Sequence, residues 1–209
     1  MAYTRTVKLA FPITTVSGLL KELTVSTLPA KQVREIAKKH NTDHDQTGFA
    51  ALDQEFELAV AMTGQPEEII AQLKKPDYNS LTAQIDRLTN YTTPDLLEED
   101  ENLRIAAGKK VVKAEVSKEN PSLLVVVSDP LSGEVADYRL QPPTVGLTRQ
   151  VRIEKDNHKR GMMVASTCTG LHQDVIDMFH MPDFNYLMEL ISDFLTQPGD
   201  YFQKQTLTD

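Results

Sequence analysis

Residues Met62-Thr63-Gly64-Gln65-Pro66-Glu67-Glu68-Ile69-Ile70 lie over Cys168-Thr169-Gly170-Leu171-His172-Gln173-Asp174-Val175-Ile176 at a constant offset of 106 positions. The same offset carries Pro76-Asp77-Tyr78-Asn79-Ser80-Leu81 onto Pro182-Asp183-Phe184-Asn185-Tyr186-Leu187 without a gap. Eight of the 28 pairs from position 62 to 89 are identical: Thr63, Gly64, Ile70, Pro76, Asp77, Asn79, Leu81 and Ile85. What recurs is an order of signals: a helix stop, a helix start, a proline-aspartate cap and an apolar stripe. Upstream, Gly18 corresponds to Gly133, with Pro12 and Pro130 in the turns before them. Gly18 to Gly64 spans 46 positions and Gly133 to Gly170 spans 37, so the first copy carries about nine extra residues. The chain reads as an internal duplication of one small α+β module.

Each module opens on strand signals. Thr6-Val7-Lys8-Leu9-Ala10-Phe11 alternates as a half-buried strand does, and a second run from Leu19 to Ser26 follows the turn at Gly18. The pair predicts a β-hairpin. Pro29 suits a first helical position, and Val33, Ile36 and Ala37 then share a face. A longer helix is predicted from about Phe49 to Met62, with Phe49, Leu52, Phe56 and Val60 as its buried stripe. Thr63-Gly64 ends it, Pro66-Glu67-Glu68 starts a short helix, and Asp77 caps the next one, which buries Tyr78, Leu81, Ile85 and Leu88. In the second copy, strands are predicted at 110–116, 123–127 and 134–140, with helices from about Thr144 to Leu195. The predicted organisation is a first hairpin-plus-helices module over residues 1–91, an acidic linker over 92–108 and a second module over 109–209. The linker rests on Pro94 and on Asp95, Glu98, Glu99, Asp100 and Glu101 standing against Arg104 alone.

Composition narrows the function. The net charge of −8 lacks the basic footprint of a general nucleic-acid binder. No apolar run approaches the ~18 residues of a membrane span. One cysteine permits no internal disulfide, which points to a reducing compartment.

Candidate chemistry is sparse. Asp43, Asp45, Thr47 and Gly48 occupy positions 1, 3, 5 and 6 of a calcium loop, but position 12 is Gln54 where a bidentate glutamate belongs. His40 and His44 beside those aspartates lack further zinc ligands nearby, so a polar interhelical loop is the expected reading. Cys168 has His172 and His180 near it, yet its partner in the repeat is Met62, so it is read as a small core residue. Asp77 and Asp183 each follow a proline at a helix start and are read as caps, not as a carboxylate pair. Lys109-Lys110 and the run from Lys155 to Arg160 are read as solvated faces. The sequence assigns no catalytic, cofactor-binding or metal residue. The expectation is a non-catalytic protein that binds another protein.

The first copy begins with Val7-Lys8-Leu9-Ala10-Phe11-Pro12-Ile13, turns at Gly18 and returns through Leu19 to Ser26. It continues through Leu58-Ala59-Val60-Ala61-Met62-Thr63-Gly64, a short helix with Glu67-Glu68, and Asp77 at the last helix. In this order of parts, residues 5–91 resemble the tail assembly chaperones of Mu-like tailed bacteriophages, whose members usually contain one such module. The resemblance implies a non-catalytic protein of the infected host's cytoplasm that binds the phage tape-measure protein during tail tube assembly and is absent from the mature virion. It also implies that some members carry a frameshifted C-terminal extension. Coating of the partner by helical faces, with self-association through hairpin edges, is the mechanism this suggests. The alternative is a structural tail or baseplate connector retained in the virion.

Overall fold

The computed structural model describes residues 1–16, 18–40, 48–110 and 116–206. The chain is α+β, with two small antiparallel sheets of two strands, each followed by helices. In the first module, β1 (Thr4–Thr15) pairs with β2 (Gly18–Ser26). The helices α1 (Ala30–His40), α2 (Phe49–Thr63), α3 (Glu67–Ile70), α4 (Lys75–Asn90) and α5 (Thr93–Ala106) follow. In the second, β3 (Ser122–Asp129) pairs with β4 (Gly133–Asp137). There the helices are α6 (Val145–Val151), α7 (Asn157–Thr169), α8 (Gln173–Asp177), α9 (Met181–Thr196) and α10 (Gly199–Thr206).

Strand alternation sets the inner face of the first hairpin. Val7, Leu9 and Ile13 are buried on β1 and Leu23 and Val25 on β2. The register breaks between Lys8 and Ile13, where β1 bulges. Pro12 lies inside that break, where a residue without an amide hydrogen removes no ladder bond. β3 breaks register in the same way between Ser122 and Val127. Both hairpin glycines have positive φ, 122° at Gly18 and 92° at Gly133, a conformation that a side chain would strain.

The helix ends repeat as closely. α2 and α7 both close on a left-handed glycine, Gly64 and Gly170, whose amides reach back to the carbonyls of Val60 and Ser166. The last threonine of each helix, Thr63 and Thr169, donates its hydroxyl to the carbonyl four residues earlier. From α3 onward the elements of the two modules start at the offset of 106: Glu67 and Gln173, Lys75 and Met181, Thr93 and Gly199.

Three expectations are corrected. Asp77 and Asp183 are not caps: they stand within the first turns of α4 and α9, and Lys74 and His180 occupy the cap positions. Their carboxylates bind the hairpins instead. Asp77 accepts the amides of Ala10 (2.8 Å) and Phe11 (2.9 Å), and Asp183 those of Leu124 (2.8 Å) and Val125 (3.2 Å). The bulge frees two adjacent amides, and a buried carboxylate two residues into the helix takes both.

The stripe of Phe49, Leu52, Phe56 and Val60 on α2 is only half used in the core: Phe56 and Val60 pack against it from its edge. Leu58, Ala59 and Met62 are buried, while Phe49 is 69% and Leu52 56% exposed. The helix is apolar on more than one side, so periodicity alone did not single out the buried one.

Over residues 92–108, the irregular solvated stretch is instead the helix α5. Thr92 and Asp95 form a reciprocal capping box with Pro94 in the first turn. Leu96 is fully buried in the first core, and Arg5 of β1 pairs with Glu99 (2.5 Å) and Asp100 (2.7 Å). The acidic residues are therefore partly used as partners of a strand arginine.

Each module has its own core. The first gathers Leu23, Val25, Met62, Ile70, Leu81 and Leu88, and the second gathers Val127, Ala165, Val175, Ile176, Phe179 and Leu187. Burial of one such aliphatic side chain is worth about 1.5–3 kcal/mol. The strand predicted at 110–116 falls mainly outside the described residues. β4 ends at Asp137, although Tyr138 and Leu140 still donate their amides to the carbonyls of Pro121 and Glu119.

The modules meet along a polar seam. The segment after β2 forms an antiparallel bridge to the segment before α9: Ala30 donates to the Phe179 carbonyl (2.8 Å) and Met181 to that of Leu28 (3.0 Å). The Thr27 hydroxyl lies 2.7 Å from His180 Nδ1, and Arg34 pairs with Asp177 at 2.7 Å. Thr93 of α5 donates to Asp183, and Asn185 donates to the carbonyls of Thr89 and Tyr91.

Candidate functional site

An open groove lies on the first module between α2, α3 and α4. Its walls come from Leu52, Asp53 and Phe56 on α2, Ile70, Ala71 and Leu73 around α3, and Lys75 and Tyr78 on α4, enclosing about 330 Å³. Leu52 and Phe56 of the α2 stripe form one wall, so that stripe is where the sequence signal for this groove lay. The Lys75 ammonium stands 4.9 Å from the centre of the Tyr78 ring, near enough for a cation–π contact. Burial raises the Tyr78 phenol above its ordinary range, and a hydrogen bond to Glu55 adds to the shift. The tyrosine is thus a neutral donor at neutral pH. The surface is mostly apolar, with one carboxylate and one ammonium at its edge, which suits a protein segment better than a polar metabolite.

A second set of apolar side chains is exposed on the hairpins. Phe11 (51%) and Leu19 stand out from the first, Val126 (44%) and Leu131 from the second. Phe11 and Val126 both belong to the bulged stretches that the buried aspartates hold.

Among the described residues, those singled out for chemistry do not converge. Cys168 is buried in the second core, and burial pushes its thiol up to about 11, so it is a poor nucleophile at neutral pH. His172 caps α8 by accepting the amide of Asp174, and His180 lies in the seam against Thr27. Burial lowers His180 to about 4, which leaves it neutral at neutral pH. His40 lies 2.6 Å from Glu57, which also accepts from Lys39. His44, Asp43, Asp45 and Thr47 lie outside the described residues. Among the described residues no group of three or more His, Cys, Asp and Glu side chains could hold a metal ion. Asp156, within the basic run of 155–160, caps α7 by accepting the amides of His158 and Lys159. Among the described residues no helix is long and apolar enough to cross a membrane.

No curated protein matches the chain, and no solved structure does. A family model does: that of phage tail assembly chaperone proteins, E, or 41 or 14, over residues 6–90. The matched span runs from β1 to the end of α4 and so contains the bulge, the aspartate that holds it and the groove. Over residues 6–90 the chain is thus similar to phage tail assembly chaperone proteins.

Proposed function

We propose that the whole chain is a non-catalytic tail assembly chaperone that binds the phage tape-measure protein while the tail tube is built. It acts in the cytoplasm of the infected bacterium and leaves before the virion is complete. The observation that carries this reading is the family match over the first module. It is supported by the exposed apolar residues present on both hairpins, Phe11 and Leu19 on one and Val126 and Leu131 on the other. A tape-measure protein is long and helical, and its apolar stripe needs cover until the tube surrounds it. Two linked modules hold such a stripe more tightly than either alone, because the second contact forms at high effective concentration. We further propose that the two modules arose by duplication, and the repeated helix ends and aspartate clamps support that origin.

The test is quantitative immunoblotting of infected-cell lysate and purified particles, with mass spectrometry of what co-purifies from the lysate. Abundance in lysate, absence from particles and co-purification of one very long helical protein are expected. A fixed stoichiometric presence in particles would replace this reading with that of a structural tail or baseplate connector.

A further inference from the structure

The seam between the modules is heterologous, using different surfaces on each side, and each module therefore has a counterpart surface left over. On the second module the accepting surface is the edge before α9. The Phe179 carbonyl and Met181 amide bind Ala30 and Leu28, His180 meets Thr27, and Asp177 pairs with Arg34. At the offset of 106 these four residues correspond to Leu73, Lys75, Lys74 and Ala71 of the first module. Three of those, Ala71, Leu73 and Lys75, line the open groove. The local backbone is the same on both sides: Phe179 donates its amide to the Ile176 carbonyl and Leu73 to that of Ile70. Neither the Leu73 carbonyl nor the Lys75 amide has a hydrogen-bond partner among the described residues.

The inserting surface has a counterpart too. Val25 pairs with Arg5 on the first hairpin, and Leu140 bonds to Glu119 on the second. α1 starts at Ala30 and α6 at Val145, so the inserting segments correspond at an offset of 115. Leu28, Ala30 and Arg34 thus fall on Pro143, Val145 and Arg149. In the first module Leu28 and Ala30 are buried by the seam, whereas Val145 is 77% exposed and Arg149 is exposed. The one amide hydrogen the bridge needs belongs to Val145, and the one carbonyl belongs to Pro143. Both are without a hydrogen-bond partner among the described residues. The proline at 143 does not interfere, since the Leu28 amide takes no part in the bridge.

We propose that copies of this chain join head to tail, the segment around Pro143–Val145 of one copy inserting into the Leu73–Lys75 edge and groove of the next. The contact repeats between chains what the seam does within one. Both partners of the bridge are present and unpaired among the described residues, and the groove is lined by Ala71, Leu73 and Lys75, the counterparts of the edge that takes the inserted segment in the second module. Every module in the assembly then has the same neighbours, and the array grows as a ring or a helix. The inference stands independently of tape-measure binding.

The test is sedimentation velocity on the full-length protein over a concentration series, with circular dichroism as the control for folding. Val145→Pro removes the amide hydrogen at the first position of α6, where proline is tolerated. Leu52→Glu places a charge on the exposed wall of the groove. Association of the native chain is expected, weakened roughly five-fold by V145P and more than ten-fold by L52E. Ala71→Asp should strengthen it, because Arg149 then gains the partner that Arg34 has in Asp177. Mixing a Lys74→Cys chain with a Pro142→Cys chain, the counterparts of His180 and Thr27, should yield a disulfide-linked dimer on oxidation. A native chain that stays monomeric up to millimolar concentration overturns the proposal, as does association that neither V145P nor L52E weakens.

Discussion

Asp77 accepts the backbone amide of Ala10 at 2.8 Å across 67 positions of sequence, and the neighbouring amide of Phe11 binds its other oxygen. This single side chain ties the first turn of α4 to the bulge of β1, and Asp183 does the same for Leu124 and Val125. Both aspartates are buried, at 3% and 2% exposure, so truncation strands two amides away from water. We expect Asp77→Ala and Asp183→Ala each to lower stability by about 2–4 kcal/mol in urea unfolding. Asp77→Asn should retain part of it, since one amide oxygen can still accept one bond. A loss below about 1 kcal/mol for both alanine variants would show that the bulges are held by packing instead.

The seam gives the protein an acid sensitivity. Burial lowers His180 to about 4 in the folded chain, against about 6.5 when unfolded. Between those values the unfolded state binds more protons, so stability falls as the pH drops from about 6.5 toward 4. The Thr27 hydroxyl, 2.7 Å from Nδ1, is its direct partner. We expect His180→Gln to flatten this part of the stability profile while leaving the fall at lower pH. An unchanged profile between pH 6.5 and 4 would assign the sensitivity to other groups.

Arg5 anchors α5 to the hairpin. Its side chain is only 10% exposed and contacts Glu99, Asp100 and the Leu96 carbonyl. Arg5→Ala leaves these half-buried acceptors without their cation and should cost about 2–3 kcal/mol. Hydrogen exchange should then quicken in α5 first, before the core strands respond. Uniform quickening across the module would mean that the helix is held chiefly by Leu96.

Cys168 should be silent in the folded protein. With its thiol raised to about 11 and its side chain in the second core, it should react with a thiol reagent only as fast as the module opens. Adding urea at sub-denaturing concentration should accelerate labelling by the same factor as exchange of the core amides in α7. Rapid labelling in native buffer would contradict the burial.

The hairpins, the glycine helix stops and the order of helices were legible because they depend on alternation and on left-handed closure, both local properties of the chain. The offset that aligned Gly64 with Gly170 also aligned the backbone bonds around them. The role of the aspartates was not legible, since a cap and a strand clamp both place an aspartate after a proline near a helix start. Only the bulge of β1, a tertiary feature, separates them. α5 was hidden by its charge, although Thr92, Pro94 and Asp95 carried its start signal. The groove was hidden by the same apolar abundance that made α2 easy to recognise as a helix.

Gln84 shows where comparison of the modules exposes a weakness of one. It is 8% exposed on α4, and its side-chain nitrogen has no hydrogen-bond partner among the described residues. The corresponding residue on α9, 106 positions on, is Leu190, buried at 4% exposure. A buried amide without a partner is destabilising by about 1–3 kcal/mol, and leucine has a similar length without the polar atoms. Gln84→Leu should therefore raise stability by about 1 kcal/mol or more, read as a higher urea midpoint at unchanged slope. Leu190→Gln should do the reverse by a larger margin, since it strands both an amide nitrogen and a carbonyl in the second core. If Gln84→Leu lowers the midpoint instead, the glutamine makes a contact in solution that its leucine counterpart cannot replace, and its polarity is part of how α4 packs.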